Sequence, residues 1–242
     1  MKRLNVFLKI MILTCVIQPL FAQDKLDNLT DFIHPVGNWV KAEKLRQDSQ
    51  KPEILTYESG NDCFVNGKNG SATYLVSKKE YQDIEFHVEF MIPKGSNSGI
   101  YFQCRYELQL FDSWGATDLT FYDCGGIQNR SDKVASKDDV GFNGYAPMVN
   151  ACRAPGVWQS LDVMFRAPKF NEKGEKIKNA SFEKVVLNGI VVQENAELSG
   201  PTRGALSEVE VTKAPFRLQG GHGPVAFRSI RVKELVRSIK SK

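Results

Sequence analysis

Asp83-Ile-Glu-Phe-His-Val-Glu-Phe-Met-Ile92 and Gly99-Ile-Tyr-Phe-Gln-Cys-Arg-Tyr-Glu-Leu-Gln-Leu-Phe111 decide the fold. In the first stretch Ile84, Phe86, Val88, Phe90 and Ile92 alternate with Glu85, His87 and Glu89. Successive side chains of a strand point to opposite faces, so a period of two describes a strand with one buried face. The second stretch repeats the pattern and reads as one long strand. Ile100, Phe102, Cys104, Tyr106, Leu108 and Leu110 alternate there with Tyr101, Gln103, Arg105, Glu107 and Gln109. Pro93-Lys-Gly-Ser-Asn-Ser98 between the two is a turn cluster.

Working outward, further strands are expected at 72–76, 157–166, 181–187, 190–194, 214–219 and 225–234. Asn188-Gly189, between Val185-Val-Leu187 and Ile190-Val-Val192, suits a type I′ hairpin turn. No stretch sustains a helical apolar stripe beyond about two turns. Residues 112–150, rich in Gly, Asp and aromatics, read as long loops over one end or face. Residues 167–180 read as a charged, exposed loop. Many short strands, short turns and little helix predict an all-β, two-sheet sandwich of the jelly-roll kind.

The chain begins with Met1-Lys-Arg3 and Lys9, continues with the apolar run Ile10–Ile17 and reaches Ala22 before the polar Gln23-Asp24. This is the pattern of a cleaved signal peptide over 1–22, and the apolar run is shorter than the ~20 residues of a membrane-spanning helix. The expectation is export to the periplasm or beyond, with 23–242 as one domain. No internal repeat, linker or transmembrane segment divides it. Removing Lys2, Arg3 and Lys9 lowers the formal charge from +4 to +1, so no sustained basic surface marks a nucleic-acid partner. Cys63, Cys104, Cys124 and Cys152 then remain, with no CxxC spacing. They suggest one or two disulfides of undetermined pairing, or buried thiols, rather than a zinc site.

The polar side of 99–112 is unusual for a solvent face. Tyr101, Gln103, Arg105, Glu107 and Gln109, followed by Asp112, offer planar hydrogen-bonding groups and an aromatic ring, which suit the hydroxyl rim and C–H faces of a sugar. Glu85, His87 and Glu89 would extend the same surface. The competing reading is a solvated sheet face carrying cross-strand ion pairs.

A set of blocks running in order from about 31 to 235 carries a family resemblance. It comprises Gly95-Ser-Asn-Ser-Gly-Ile-Tyr101, Tyr106-Glu-Leu-Gln-Leu-Phe-Asp112, Asp123-Cys-Gly-Gly-Ile127, Ala146-Pro-Met-Val-Asn-Ala151, Pro155-Gly-Val-Trp-Gln159, Leu187-Asn-Gly189, Gly200-Pro-Thr-Arg203 and Leu218-Gln-Gly-Gly-His-Gly-Pro-Val-Ala-Phe-Arg-Ser-Ile230. The set resembles the 3-keto-disaccharide hydrolase domain, also described as a 3-keto-glucoside 1,2-lyase and 3-keto-2-hydroxy-glucal hydratase. The resemblance implies a concanavalin A-like lectin/glucanase fold acting on oxidised glycosides in bacterial envelopes. Glu107-Leu-Gln109-Leu-Phe-Asp112 is also faintly similar to the Glu-x-Asp-x-x-Glu signature of jelly-roll glucanases, with its central carboxylate replaced by an amide. Ordinary glycosidases need two carboxylates flanking the bond, so the replacement points to other chemistry.

That chemistry follows from a ketone at C3, which acidifies the C2 hydrogen. A base removes it, the enolate expels the C1 substituent by β-elimination, and water adds to the resulting glucal for a net hydrolysis. The site needs a base near C2, a cation or hydrogen-bond donors at the C3 oxygen and an acid at the leaving oxygen. Glu107 and His222 are the candidate base and acid. Asp112 is a further catalytic candidate, though an Asx-turn role suits it equally. Arg105 and Arg130 would recognise the enolate or hydroxyls, and Tyr101, Gln103, Gln109 and Gln219 would bind the sugar.

No cofactor is expected. No local spacing assigns a metal site, although Glu85, His87, Glu89, Glu107 and His222 leave a divalent metal open. Without a dinucleotide fingerprint or a nucleophile elbow, oxidation at C3 would belong to a separate enzyme. The rival readings are a non-catalytic carbohydrate-binding module of the same fold and a structural envelope protein.

Overall fold

A computed structural model describes residues 23–33, 35–130 and 136–235. The expected leader, 1–22, lies outside the described residues. The strands in chain order are β1 (Asp24–Leu26), β2 (Val40–Gln47), β3 (Leu55–Ser59), β4 (Cys63–Val65), β5 (Leu75–Val76), β6 (Ile84–Met91), β7 (Asn97–Phe102) and β8 (Tyr106–Phe111). They continue with β9 (Gln159–Arg166), β10 (Lys169–Phe170), β11 (Lys176–Lys178), β12 (Ala180–Leu187), β13 (Ile190–Leu198), β14 (Arg217–Leu218) and β15 (Ala226–Glu234). One 3-10 turn, Leu29–Asp31, is the sole helical element among the described residues.

The strands form a nine-stranded sheet in the order β13-β12-β9-β6-β15-β4-β2-β3, with β1 added beside β15, and a four-stranded sheet, β5-β14-β7-β8. All their pairings are antiparallel. The core lies between the two sheets. Phe86, Phe165 and Phe182 of the large sheet meet Phe102 of the small one, with ring centroids 5.1–5.4 Å apart. Such offset and edge-to-face contacts add to the burial of the rings, and truncating one to Ala typically costs about 3–5 kcal/mol. This is the all-β jelly-roll sandwich that the alternation requires.

The expected single strand over 99–111 is a hairpin. The chain reverses at Gln103–Arg105, where Gln103 (φ 52°) and Cys104 (φ 55°) are both left-handed and Arg105 N–H donates to Phe102 O at 2.9 Å. With Phe102 opposite Tyr106 and Tyr101 opposite Glu107, the alternation resumes in phase. An unbroken strand would hold Tyr101 and Glu107 ~20 Å apart. The hairpin makes them cross-strand neighbours on one face.

Three smaller differences follow the same logic. Glu85, His87 and Glu89 do not extend the Glu107 surface, because β6 belongs to the other sheet. They pair instead with Lys233 (3.1 Å), Asp162 (2.7 Å) and Arg228 (2.9 Å) on its outer face. The stretch 167–180 carries the short ribbon β10–β11. Lys169 and Lys176 there reach the carboxylates of Asp83 and Glu210. β2 to β4 escape the alternation because β2 is polar along most of its length and buries only Ala42 fully. At Asn188 and Gly189 both φ angles are positive, and the β12–β13 hairpin closes there as the sequence predicts.

Candidate functional site

The face of the small sheet turned away from the core is built from rows. Arg217 of β14 lies opposite Tyr101 of β7, and Tyr101 lies opposite Glu107 of β8, giving a row Arg217–Tyr101–Glu107. One step along, Gly99 lies opposite Gln109. Loops roof this face, so Tyr101, Glu107, Gln109 and Arg217 are all buried. The roof leaves a cavity of about 290 Å³ lined by these β7 and β8 side chains and by Tyr74, Asn97, Tyr122, Gln128, Arg203, Gln219 and His222.

Glu107 is the carboxyl at the centre. Tyr101 Oη donates to its Oε2 at 2.6 Å. Its own N–H donates to Thr202 Oγ1 at 2.9 Å, and Thr202 in turn donates to Arg105 O at 3.0 Å. These two bonds tie the Gly200-Pro-Thr-Arg203 segment to the edge of β8 and bring Arg203 to the cavity. Gly99 leaves room for the carboxylate as it is placed: a Cβ there would sit 2.4 Å from Glu107 Oε1. Gly204 (φ 79°) makes similar room, since a Cβ would sit 2.6 Å from Tyr101 Oη.

Burial raises the Glu107 pKa from 4.5 to about 7, against the opposing pull of the Tyr101 hydrogen bond and the Arg217 and Arg203 charges. A low-polarity surrounding penalises the ionised form. The Tyr101 phenol is pushed up by burial and by the adjacent Glu107 charge, so it stays a donor. Behind them Arg217 is fully buried. Its guanidinium stacks 3.7 Å from the Tyr101 ring centre and 4.3 Å from that of Tyr74, and donates to Gly204 O. Ring faces carry negative charge density that steadies a buried cation.

The cavity wall beside Glu107 is a ladder of amides. Gln128 Nε2 donates to Gln109 Oε1, and Gln109 Nε2 donates to Asn97 Oδ1, each at 2.8 Å. Gln128 arrives there because Gly125–Gln128 pair along β8: Gln109 N–H donates to Gly126 O, and Gly125 and Gln128 N–H donate to Gln109 O and Glu107 O. Gln219 Nε2 reaches Tyr101 Oη at 3.5 Å, while its buried Oε1 has no protein partner. His222 is exposed at the mouth, and Arg203 Nη1 approaches Tyr122 Oη at 3.5 Å.

Of the residues expected from sequence, the structure gathers Tyr101, Glu107, Gln109, Gln219 and His222. Four others lie elsewhere. Gln103 is in the hairpin turn, donating to Tyr81 O and Thr212 O. Arg105 is buried against backbone, donating to Val209 O at 2.6 Å and Gln103 O at 2.7 Å. Both miss the cavity because the reversal at 103–105 takes them off the sheet face. Arg130 donates to Ser199 Oγ (2.7 Å) and pairs with Asp139 (3.3 Å), in space left by Gly200. Asp112 accepts the N–H groups of Gly95 (2.9 Å) and Trp114 (3.4 Å), fixing the turns at the end of β8.

Asn97, Gln128, Arg203, Tyr74 and Tyr122, which line the cavity, and Arg217, which lies behind it, are residues that pattern reading passes over. Asn97 and Arg203 lie within the quoted blocks Gly95–Tyr101 and Gly200–Arg203, and Gln128 directly follows Asp123–Ile127, so blocks of small residues were the available signal. Among the described residues, no group of three or more His, Cys, Asp or Glu is arranged to hold a metal ion. Glu85, His87 and Glu89 are on the other sheet from Glu107.

Glu107 is the one carboxylate among the described residues lining this cavity, whose other walls are amides, phenols, His222 and the Arg203 guanidinium, with the Arg217 charge close by. The fold and the cavity describe a β-sandwich protein with a roofed, polar cavity on the outer face of its small sheet. The 3-keto-alpha-glucoside-1,2-lyase-like domain matches residues 28–233, and the chain belongs to that family. Two crystal structures of candidate glycosyl hydrolases from Parabacteroides distasonis share the fold. One is 23% identical, with a TM-score of 0.56, covering 85% of this chain and 84% of its own. The other is 18% identical, with a TM-score of 0.55, covering 88% and 100%. No curated protein matches the chain in sequence.

Proposed function

We propose that the cavity binds a 3-keto-glucoside or disaccharide and cleaves it by C2 deprotonation, β-elimination and hydration, a net hydrolysis. The observation that carries this reading is Glu107, the one carboxyl among the described residues that line the cavity, buried and with its pKa raised to about 7. A general base works best when its pKa lies near the working pH, and a single carboxyl serves elimination from a keto-sugar. Hydrolysis by an ordinary glycosidase needs a second carboxyl across the bond.

In this reading Glu107 takes the C2 proton. Arg203 stabilises the enolate oxygen that develops at C3, the Tyr101 phenol holds the Glu107 carboxyl in place, and the buried Arg217 adds positive potential from behind. His222, at the open mouth, gives a proton to the departing C1 oxygen. The amides of Asn97, Gln109 and Gln128 orient hydroxyls, and Gln219 Oε1 accepts one. The basic and apolar start of the chain supports export, where the keto-sugar would arrive from a separate C3-oxidising enzyme.

The test compares a chromogenic 3-keto-glucoside with its unoxidised parent, following aglycone release and exchange of the C2 hydrogen in D₂O. Release and exchange with the ketone alone are expected. Equal release from the parent would refute elimination. Saturable binding of the ketone without release would make the protein a binding module.

A further inference from the structure

Two nucleophilic side chains that the proposed chemistry does not use are buried side by side. Cys124 N–H donates to Ser113 Oγ at 3.0 Å, and Cys152 N–H donates to Asn150 Oδ1 at 3.0 Å. Asn150 Nδ2 also donates to Ser113 O at 2.7 Å, so one hydrogen-bond network holds both cysteines beside the end of β8, where Cys152 Sγ faces the Phe111 carbonyl at 3.7 Å. Gln159 Nε2 lies 3.7 Å from Cys152 Sγ. The other two described cysteines are engaged elsewhere: Cys63 Sγ donates to Ala42 O at 3.4 Å in a separate apolar cluster, and Cys104 sits in the β7–β8 turn. All four are held as thiols in the structure.

We propose that Cys124 and Cys152 are a redox modification site, joined as a disulfide by exchange with a small-molecule or protein disulfide. Thiolate is the species that attacks. Cys152 is the less buried of the two, 6% exposed against 1%, and the neighbouring Cys124 thiol holds its pKa below that of an ordinary thiol, so Cys152 is the first nucleophile. Its thiolate attacks one sulfur of the oxidant, expelling a thiolate and leaving a mixed disulfide. Cys124 then loses its proton, attacks the Cys152 sulfur and expels the second thiolate. One S–S bond breaks and one forms, and the oxidant carries off two electrons and two protons as a pair of thiols.

The bridge closes residues 124–152 into a ring. That ring contains Gly125–Gln128, the segment that lies along β8 and delivers Gln128 to the cavity. The bond therefore clamps the start of that cavity-wall segment to Cys152, which lies beside the end of the strand that carries Glu107.

The purified full chain is equilibrated in a glutathione/glutathione-disulfide buffer, denatured, alkylated without reduction and mapped by mass spectrometry. A Cys124–Cys152 cross-linked peptide is expected, with Cys63 and Cys104 alkylated. Alkylation of both Cys124 and Cys152, or capture of either by glutathione or another cysteine, would overturn the proposal. The oxidised protein should melt about 7–14 °C above the reduced one, and the oxidant should leave Cys124→Ser/Cys152→Ser unmoved. An equal response in that double variant would overturn the clamp. Should the double variant fail to fold, the peptide map decides.

Discussion

Replacing Glu107 with Gln should cut turnover by orders of magnitude and, at the same time, make the protein more stable at neutral and alkaline pH than the wild type. Burial raises the carboxyl from 4.5 to about 7. Between those values the unfolded chain is ionised while the folded chain keeps its proton. The folded state thus binds more protons, and stability falls as pH rises through the interval. The contribution is fully present below about pH 4.5 and lost above about pH 7. At ~1.4 kcal/mol per pH unit, the loss comes to about 3 kcal/mol. Only 5% of the residue is exposed, so solvent screening does little to reduce it. Gln has the same shape and no charge, and its amide oxygen still accepts from Tyr101.

Urea unfolding of both proteins at pH 4.5, 6 and 8 isolates the effect, because the other ionisable groups cancel in the difference. The difference should grow by about 3 kcal/mol in favour of Glu107→Gln between pH 4.5 and 8, which is about 6–12 °C in melting temperature. In the wild type, kcat/KM should rise with pH to a plateau above about 7, and the variant should lose on the order of 10²–10⁴ in kcat. Two stability curves that run parallel from pH 4.5 to 8 would refute the placement of a neutral, buried carboxyl at this position.

Three other substitutions separate cavity from scaffold. Gly99→Ala drives a Cβ into Glu107 Oε1; kcat should fall at least about tenfold while circular dichroism stays that of the folded protein. Arg217→Met removes a positive charge that holds the Glu107 pKa down, so the midpoint of the kcat/KM pH profile should move upward by about one unit, with a lower melting temperature. Arg105→Ala, by contrast, should cost about 2–3 kcal/mol in urea unfolding through its lost backbone contacts, with kcat/KM of the folded fraction within about twofold of wild type.

The fold was legible where one face is apolar, as at β6, β9, β12 and β15, because burial of alternate side chains leaves a period of two. The hairpin at Gln103–Arg105 was not legible. Neither Gln103 nor Cys104 is a residue that announces a left-handed turn, and the apolar alternation runs through it without interruption. That one turn explains why Tyr101, Glu107 and Gln109 were placed together correctly while Gln103 and Arg105 were drawn into the same face. Arg203, Gln128 and Asn97 come from loops and strand ends, whose positions depend on long-range bonds such as Thr202 to β8. Arg130 resembles a binding residue in sequence because the space it fills is created by Gly200, seventy positions away.

The pairing of Gly125–Gln128 along β8 also bears on how the molecules behave in a crowd. β8 is the last strand of its sheet, and an uncovered last strand offers a row of amides and carbonyls to any other chain that can extend beside it. Here the N–H groups of Glu107 and Gln109 and their carbonyls are already engaged by Thr202, Gly125, Gly126 and Gln128. The same backbone that shapes the cavity wall therefore acts as a guard rail against edge-to-edge self-association.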